Sequence, residues 1–102
     1  MNRHREPTYT PYVRDAMRFY SRCLHIKEFR TEADRLNWQA CHRAIQEYSP
    51  VNKDILVCVY GERDTLGDNV YNVSRRYGVH QNVVWGMMRK FERKVAVERG
   101  LA

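Results

Sequence analysis

Residues 70–89 read VYNVSRRYGVHQNVVWGMMR, and the way this stretch divides decides the fold. Gly78 stands between two segments of helical apolar spacing. It is the residue type that enters a left-handed turn without a Cβ penalty. Val73, Tyr77 and Val79 close the inner face of the first helix and the turn, and Val84 and Met87 close that of the second. Ser74 supplies a small side chain where the second helix has to pass over the first. With the three-residue turn Gly78-Val79-His80, these are the demands of a helix-turn-helix, two helices crossing steeply through a short connection. A plain helix pair around a glycine would show much of the same pattern, so the flanking chemistry has to separate the two.

Working outward, Gly100 closes a last helix that starts near Gln81 and carries Val84, Met87, Met88, Phe91 and Val95. Upstream, Thr65 to Asp68 reads as a connection in which Asp68 caps a short helix from Asn69 to Tyr77. Ser49-Pro50 caps a further helix reaching about Arg63, with Ile55, Leu56 and Val59 facing inward. Its run ILVCVY has strand composition, but no second strand exists to pair with it. Thr31 with Asp34 announces a helix with the stripe Trp38, Cys41, Ile45 and Tyr48. Thr10-Pro11 opens another over 11–24, whose apolar set is Val13, Ala16, Met17, Tyr20, Cys23 and Leu24. Arg14, Asp15, Arg18 and Arg22 form its solvated, mildly basic face. Residues 1–10 read as a flexible basic arm. The prediction is an all-α fold of about five helices in one compact domain. A helical pair at 11–49 packs on a three-helix unit at 50–102 that holds the helix-turn-helix.

The chain has 102 residues, 43% apolar, 29% charged and 12% aromatic, enough to build a core and too short for a multidomain enzyme. A net charge of +6 points to a polyanionic partner or an acidic protein surface. From Arg75 onward seven basic residues face only Glu92 and Glu98, so +5 of that +6 lies at the C-terminal end. Three cysteines and an N-terminus without secretory patterning lead to the expectation of a reducing, cytoplasmic setting. The longest apolar run, Ile55 to Tyr60, falls far short of the roughly 20 residues of a membrane span.

In a helix-turn-helix the N-terminal half of the second helix meets base edges in the major groove. The base-contact candidates are therefore His80, Gln81, Asn82, Trp85 and Arg89. Gln81 or Asn82 can pair bidentately with adenine, and Arg89 with guanine. Trp85 has packing under the first helix or the Arg75 stem as its alternative, since a large aromatic at such a position is more often partly core. Arg75, Arg76, Lys90, Arg93 and Lys94 are candidates for phosphate contact, each with a solvated helix face as the alternative. Cys23, His25, Cys41 and His42 include the residue types that bind zinc, but not the paired spacing of a structural site. No metal or cofactor is predicted. No nucleophile stands beside a base and no glycine-rich phosphate loop appears, so no catalytic residue is assigned.

Lys53 to Val95 resembles region four of RNA polymerase sigma factors and the sigma-like small regulators of phages and mobile elements. The likeness rests on Asp54-Ile55-Leu56, Val59-Tyr60, Val73-Ser74, Tyr77-Gly78-Val79 and Val83-Val84, followed by a basic helix. It implies a helix ahead of the helix-turn-helix and promoter reading in the major groove. Nothing before Lys53 resembles a promoter-melting region, which favours a regulator over an initiation factor. The resulting expectation is sequence-specific binding of double-stranded DNA in transcriptional control. Contact with RNA polymerase and homodimer formation stay open. The alternatives are an adaptor that uses the motif as scaffold, and a small terminase-like packaging protein.

Overall fold

The computed structural model describes residues 6–102. Five α-helices make up its regular structure: α1 (Thr10–Arg22), α2 (Glu32–Ile45), α3 (Pro50–Gly61), α4 (Leu66–Tyr77) and α5 (Gln81–Glu98). No strand occurs among the described residues, so ILVCVY is helical and the fold is all-α. Among the described residues no helix is long and apolar enough to cross a membrane.

Helix starts follow local chemistry. Thr31 accepts the Asp34 N–H at 3.0 Å, and Ser49 accepts the Asn52 N–H at 3.2 Å, each satisfying a donor that the first turn leaves free. Thr65 does the same for the Asp68 N–H at 3.2 Å. This corrects the expected start of α4: Thr65 is the cap and Leu66-Gly67-Asp68 form the first turn instead of a connection. Gly67 is tolerated there because first-turn N–H groups have no intrahelical partner to lose. At α1 the cap position is Tyr9, without a side-chain bond, and Thr10 is a buried residue inside the helix. The helix also ends at Arg22, two residues early, leaving Leu24 40% exposed and outside the core. Of the arm at 1–10, residues 1–5 lie outside the described residues. Its described end is tied down, with the Thr10 N–H donating to the Pro7 carbonyl at 3.1 Å and Glu6 pairing with Arg14 at 3.1 Å.

All five helices share one core. α1 lies against α2, α3 and α5, α2 also meets α5, and α4 packs on α3 and α5. Val13, Met17, Leu56, Val59, Met88 and Phe91 are fully enclosed in it. α1 and α3 approach closely at Gly61, where a Cβ would come within 3.2 Å of the Ser21 Cβ. One expectation for α1 is overturned. Arg14 is not on a solvated face; its side chain keeps only 17% exposure and its Nε donates to the buried Glu92 carboxylate of α5 at 2.9 Å. The Tyr60 hydroxyl of α3 donates to the same oxygen at 2.6 Å. Burial, with Glu92 next to it, pushes the Tyr60 phenol well above its ordinary value. Three helices are thus joined at one carboxylate.

Candidate nucleic-acid interface

α4 and α5 are separated by Gly78-Val79-His80. Gly78 has φ +66° and ψ +34°, the left-handed conformation expected of it. The Val79 N–H then reaches back to the Ser74 carbonyl at 3.0 Å, a closure that satisfies the end of α4. Ser74 is buried and its hydroxyl donates to the Tyr71 carbonyl at 2.8 Å, which removes its polarity from the packing surface. Val73 and Val84 are fully buried as expected. On α5, however, Met88 is the fully enclosed methionine, whereas Met87 is half-buried at the core's edge.

His80 caps α5, its Nδ1 accepting the Asn82 N–H at 3.1 Å, which leaves Nε2 as the ring nitrogen free to meet an outside group. Gln81 and Asn82 are exposed in the first turn. At 100° per residue, Asn82, Val83, Gly86, Arg89, Lys90, Arg93 and Val97 share the face opposite the buried Val84, Met88, Phe91 and Val95. Trp85 lies off this face. It is half-buried, with the Arg14 guanidinium 5.9 Å from its ring centroid, so α1 holds it as part of the packing.

The basic candidates divide by what they already touch. Arg76 grips Glu62 through both terminal nitrogens, at 2.7 and 3.4 Å. Lys94 pairs with Glu47 and lies 5.4 Å from the centroid of the Tyr48 ring. Arg75 donates to the Tyr71 hydroxyl at 2.9 Å and covers its ring. These contacts with Glu62 and Tyr71 push the Arg76 and Arg75 guanidiniums above the ordinary arginine value. Arg89, Lys90 and Arg93 are exposed and have no carboxylate partner among the described residues. The structure therefore gathers Asn82, Arg89, Lys90 and Arg93 on one helix face, and it engages Arg75, Arg76 and Lys94 elsewhere.

Val83 and Gly86 on this face are not among the site candidates read from the sequence. Val83 is 55% exposed, and Gly86 is helical, with nothing closer to its would-be Cβ than Arg89 Nη2 at 3.9 Å. Together with Tyr48, Asn82, Met87 and Lys90 they line a groove of about 330 Å³. A signal for Gly86 was available, since a glycine inside a helical pattern asks for a reason.

The zinc-type residues do not converge. Cys41 is buried in α2 and its thiol is pushed up to about 12 by burial, the His42 ring stacks on Trp38 at 4.8 Å, and His42 Nδ1 lies 2.9 Å from the Tyr20 hydroxyl. Among the described residues no group of three or more His, Cys, Asp or Glu is placed to hold a metal ion. A scan of family models, a search of curated proteins and a search of solved structures found no match to this chain.

Proposed function

We propose that this chain is a sequence-specific double-stranded DNA-binding regulator of transcription, of the phage or mobile-element type, and that α4, the Gly78 turn and α5 form its helix-turn-helix. The observation that carries the reading is the outer face of α5. Directly after a left-handed glycine turn it presents Asn82, Arg89, Lys90 and Arg93 to solvent, with Gln81 exposed beside this face in the first turn and no carboxylate partner for the three cations among the described residues. Amides at the start of such a helix suit base edges, and cations further along it suit phosphates. The residue pattern of Lys53 to Val95, similar to sigma region four, supports the same assignment. In this reading Trp85 positions α5 through its packing on α1 and does not read a base.

The test is selection from a random double-stranded DNA pool at about physiological salt, where purely electrostatic binding is weak. An enriched consensus is expected, and its symmetry reports whether one or two copies bind. An intact, folded protein that enriches no sequence refutes the reading and leaves the adaptor role as the better one.

A further inference from the structure

The outer face of α5 contains a feature that the fold itself does not require. Gly86 sits five residues into an 18-residue helix in ordinary right-handed conformation, where alanine is the more stable choice. No neighbouring element approaches it: a Cβ would meet only the flexible end of Arg89 at 3.9 Å. The missing side chain instead forms the floor of the groove. Val83 and Met87, one turn apart on the same flank of α5, form its apolar wall, Tyr48 also lines it, and Asn82 and Lys90 give it a polar rim. Lys90 at the groove and Arg89 and Arg93 along the same face, none with a carboxylate partner among the described residues, put positive charge beside it.

An apolar wall, an open floor, one amide and cations alongside do not suit an apolar protein helix, whose approach would bury those charges unpaired. They suit the edge of an A·T pair within a phosphate-lined groove. The thymine edge offers a methyl group beside an acceptor, and adenine offers the donor and acceptor that an asparagine amide matches. Resting on the DNA-binding reading above, we propose that this groove seats a thymine. Its 5-methyl packs against Val83 over the bare backbone of Gly86, and Asn82 meets an adjoining adenine edge. Val83 and Gly86 are then specificity-determining residues, and the recognised site contains a thymine at the position facing the first two turns of α5.

Removing single methyl groups from the DNA tests this directly. In the sequence recovered by selection, each thymine is replaced in turn by deoxyuridine, which keeps every hydrogen-bonding group and deletes only the methyl. One such replacement is expected to weaken wild-type binding about fourfold, the loss for one buried methyl-sized group. The same replacement is expected to have no effect on Val83→Ala, since the wall it packs against is already gone. Gly86→Ala is expected to raise the thermal midpoint and yet to bind the thymine site at least about tenfold more weakly, because the new methyl occupies the floor. A selected site that tolerates uridine at every thymine overturns the inference while leaving DNA recognition standing. So does Gly86→Ala protein that binds as tightly as wild type. Failure to enrich any DNA overturns both readings together.

Discussion

The salt dependence of the proposed DNA binding can be worked from which cations are already paired. Each phosphate neutralised by a free lysine or arginine contributes roughly −0.9 to the slope of log K against log salt. A cation that holds a carboxylate contributes less, because its own charge is already compensated. Of the five phosphate candidates, Arg76 is gripped by Glu62 and Lys94 by Glu47, whereas Arg75, Lys90 and Arg93 have no carboxylate partner among the described residues. Three effective contacts give a slope of about −2.7, a loss of about 40-fold between 50 and 200 mM salt. Five would give about −4.5 and a loss of about 500-fold. The informative perturbation is Glu62→Gln with Glu47→Gln, which frees Arg76 and Lys94. Exposed pairs of this kind hold only about 0–1 kcal/mol of stability, so the fold survives the change. Titrating labelled operator DNA by fluorescence anisotropy at four salt concentrations should show a shallow wild-type slope that steepens by about 0.9 for each carboxylate removed. A wild-type slope already near −4.5, or a double variant whose slope matches wild type, would refute the assignment of Arg76 and Lys94 as internally compensated.

Four further outcomes are expected. Gly78→Ala forces a Cβ into φ +66° and should lower stability by about 1–2 kcal/mol in urea unfolding, with Gly78→Asn costing less. Glu92→Ala leaves Arg14 and the Tyr60 hydroxyl facing each other without their shared acceptor. The loss should be about 3 kcal/mol, the lower end for a buried pair because Arg14 keeps 17% exposure. The Cys41 thiol stands at about 12 in the folded chain against an ordinary value of 9.0, so folding favours its protonated form. That stability is complete below pH 9 and is lost as pH rises from 9 towards 12, and Cys41→Ala should flatten the alkaline limb of the unfolding curve. In native protein at pH 8.5, Cys41 should resist alkylation while the half-buried Cys23 and Cys58 react.

Which parts of this were legible in the sequence follows from the range of the interactions involved. Helix existence and type came through because caps and apolar periods act within a few residues, as at Thr31, Ser49 and Gly78. The start of α4 differs from the sequence reading, which makes Asp68 the cap, although Thr65-x-x-Asp68 repeats the Thr31-x-x-Asp34 pattern and makes the same hydrogen bond. Met87 and Met88 both fit a helical stripe, and only the direction from which α1, α2 and α4 approach α5 decides which is enclosed. The charges were the least legible. Arg14 finds Glu92 across 78 residues, Lys94 finds Glu47 across 47, and Arg76 finds Glu62 across 14. A charge count therefore places all of them alike on the surface, and nothing local shows that Lys90 and Arg93 stay unpaired while their neighbour Lys94 does not.

The carboxylate that joins Arg14, Tyr60 and α5 also sets an angle. Apolar contacts are non-directional and let a helix roll by small amounts at little cost, whereas hydrogen bonds weaken steeply when misaligned. Glu92 lies on the buried side of α5, held from α1 and from α3 at 2.9 and 2.6 Å, and so fixes the rotation of that helix about its own axis. For a helix about 10–12 Å across, a roll of about 20° carries surface side-chain tips roughly 2 Å sideways. In the proposed complex with DNA, that is enough to pull a two-pronged amide off a base edge. Under the proposed DNA-binding reading, the residue that aims Asn82 and Val83 is thus the buried Glu92, and its alteration should blur which sequence is preferred before it abolishes binding.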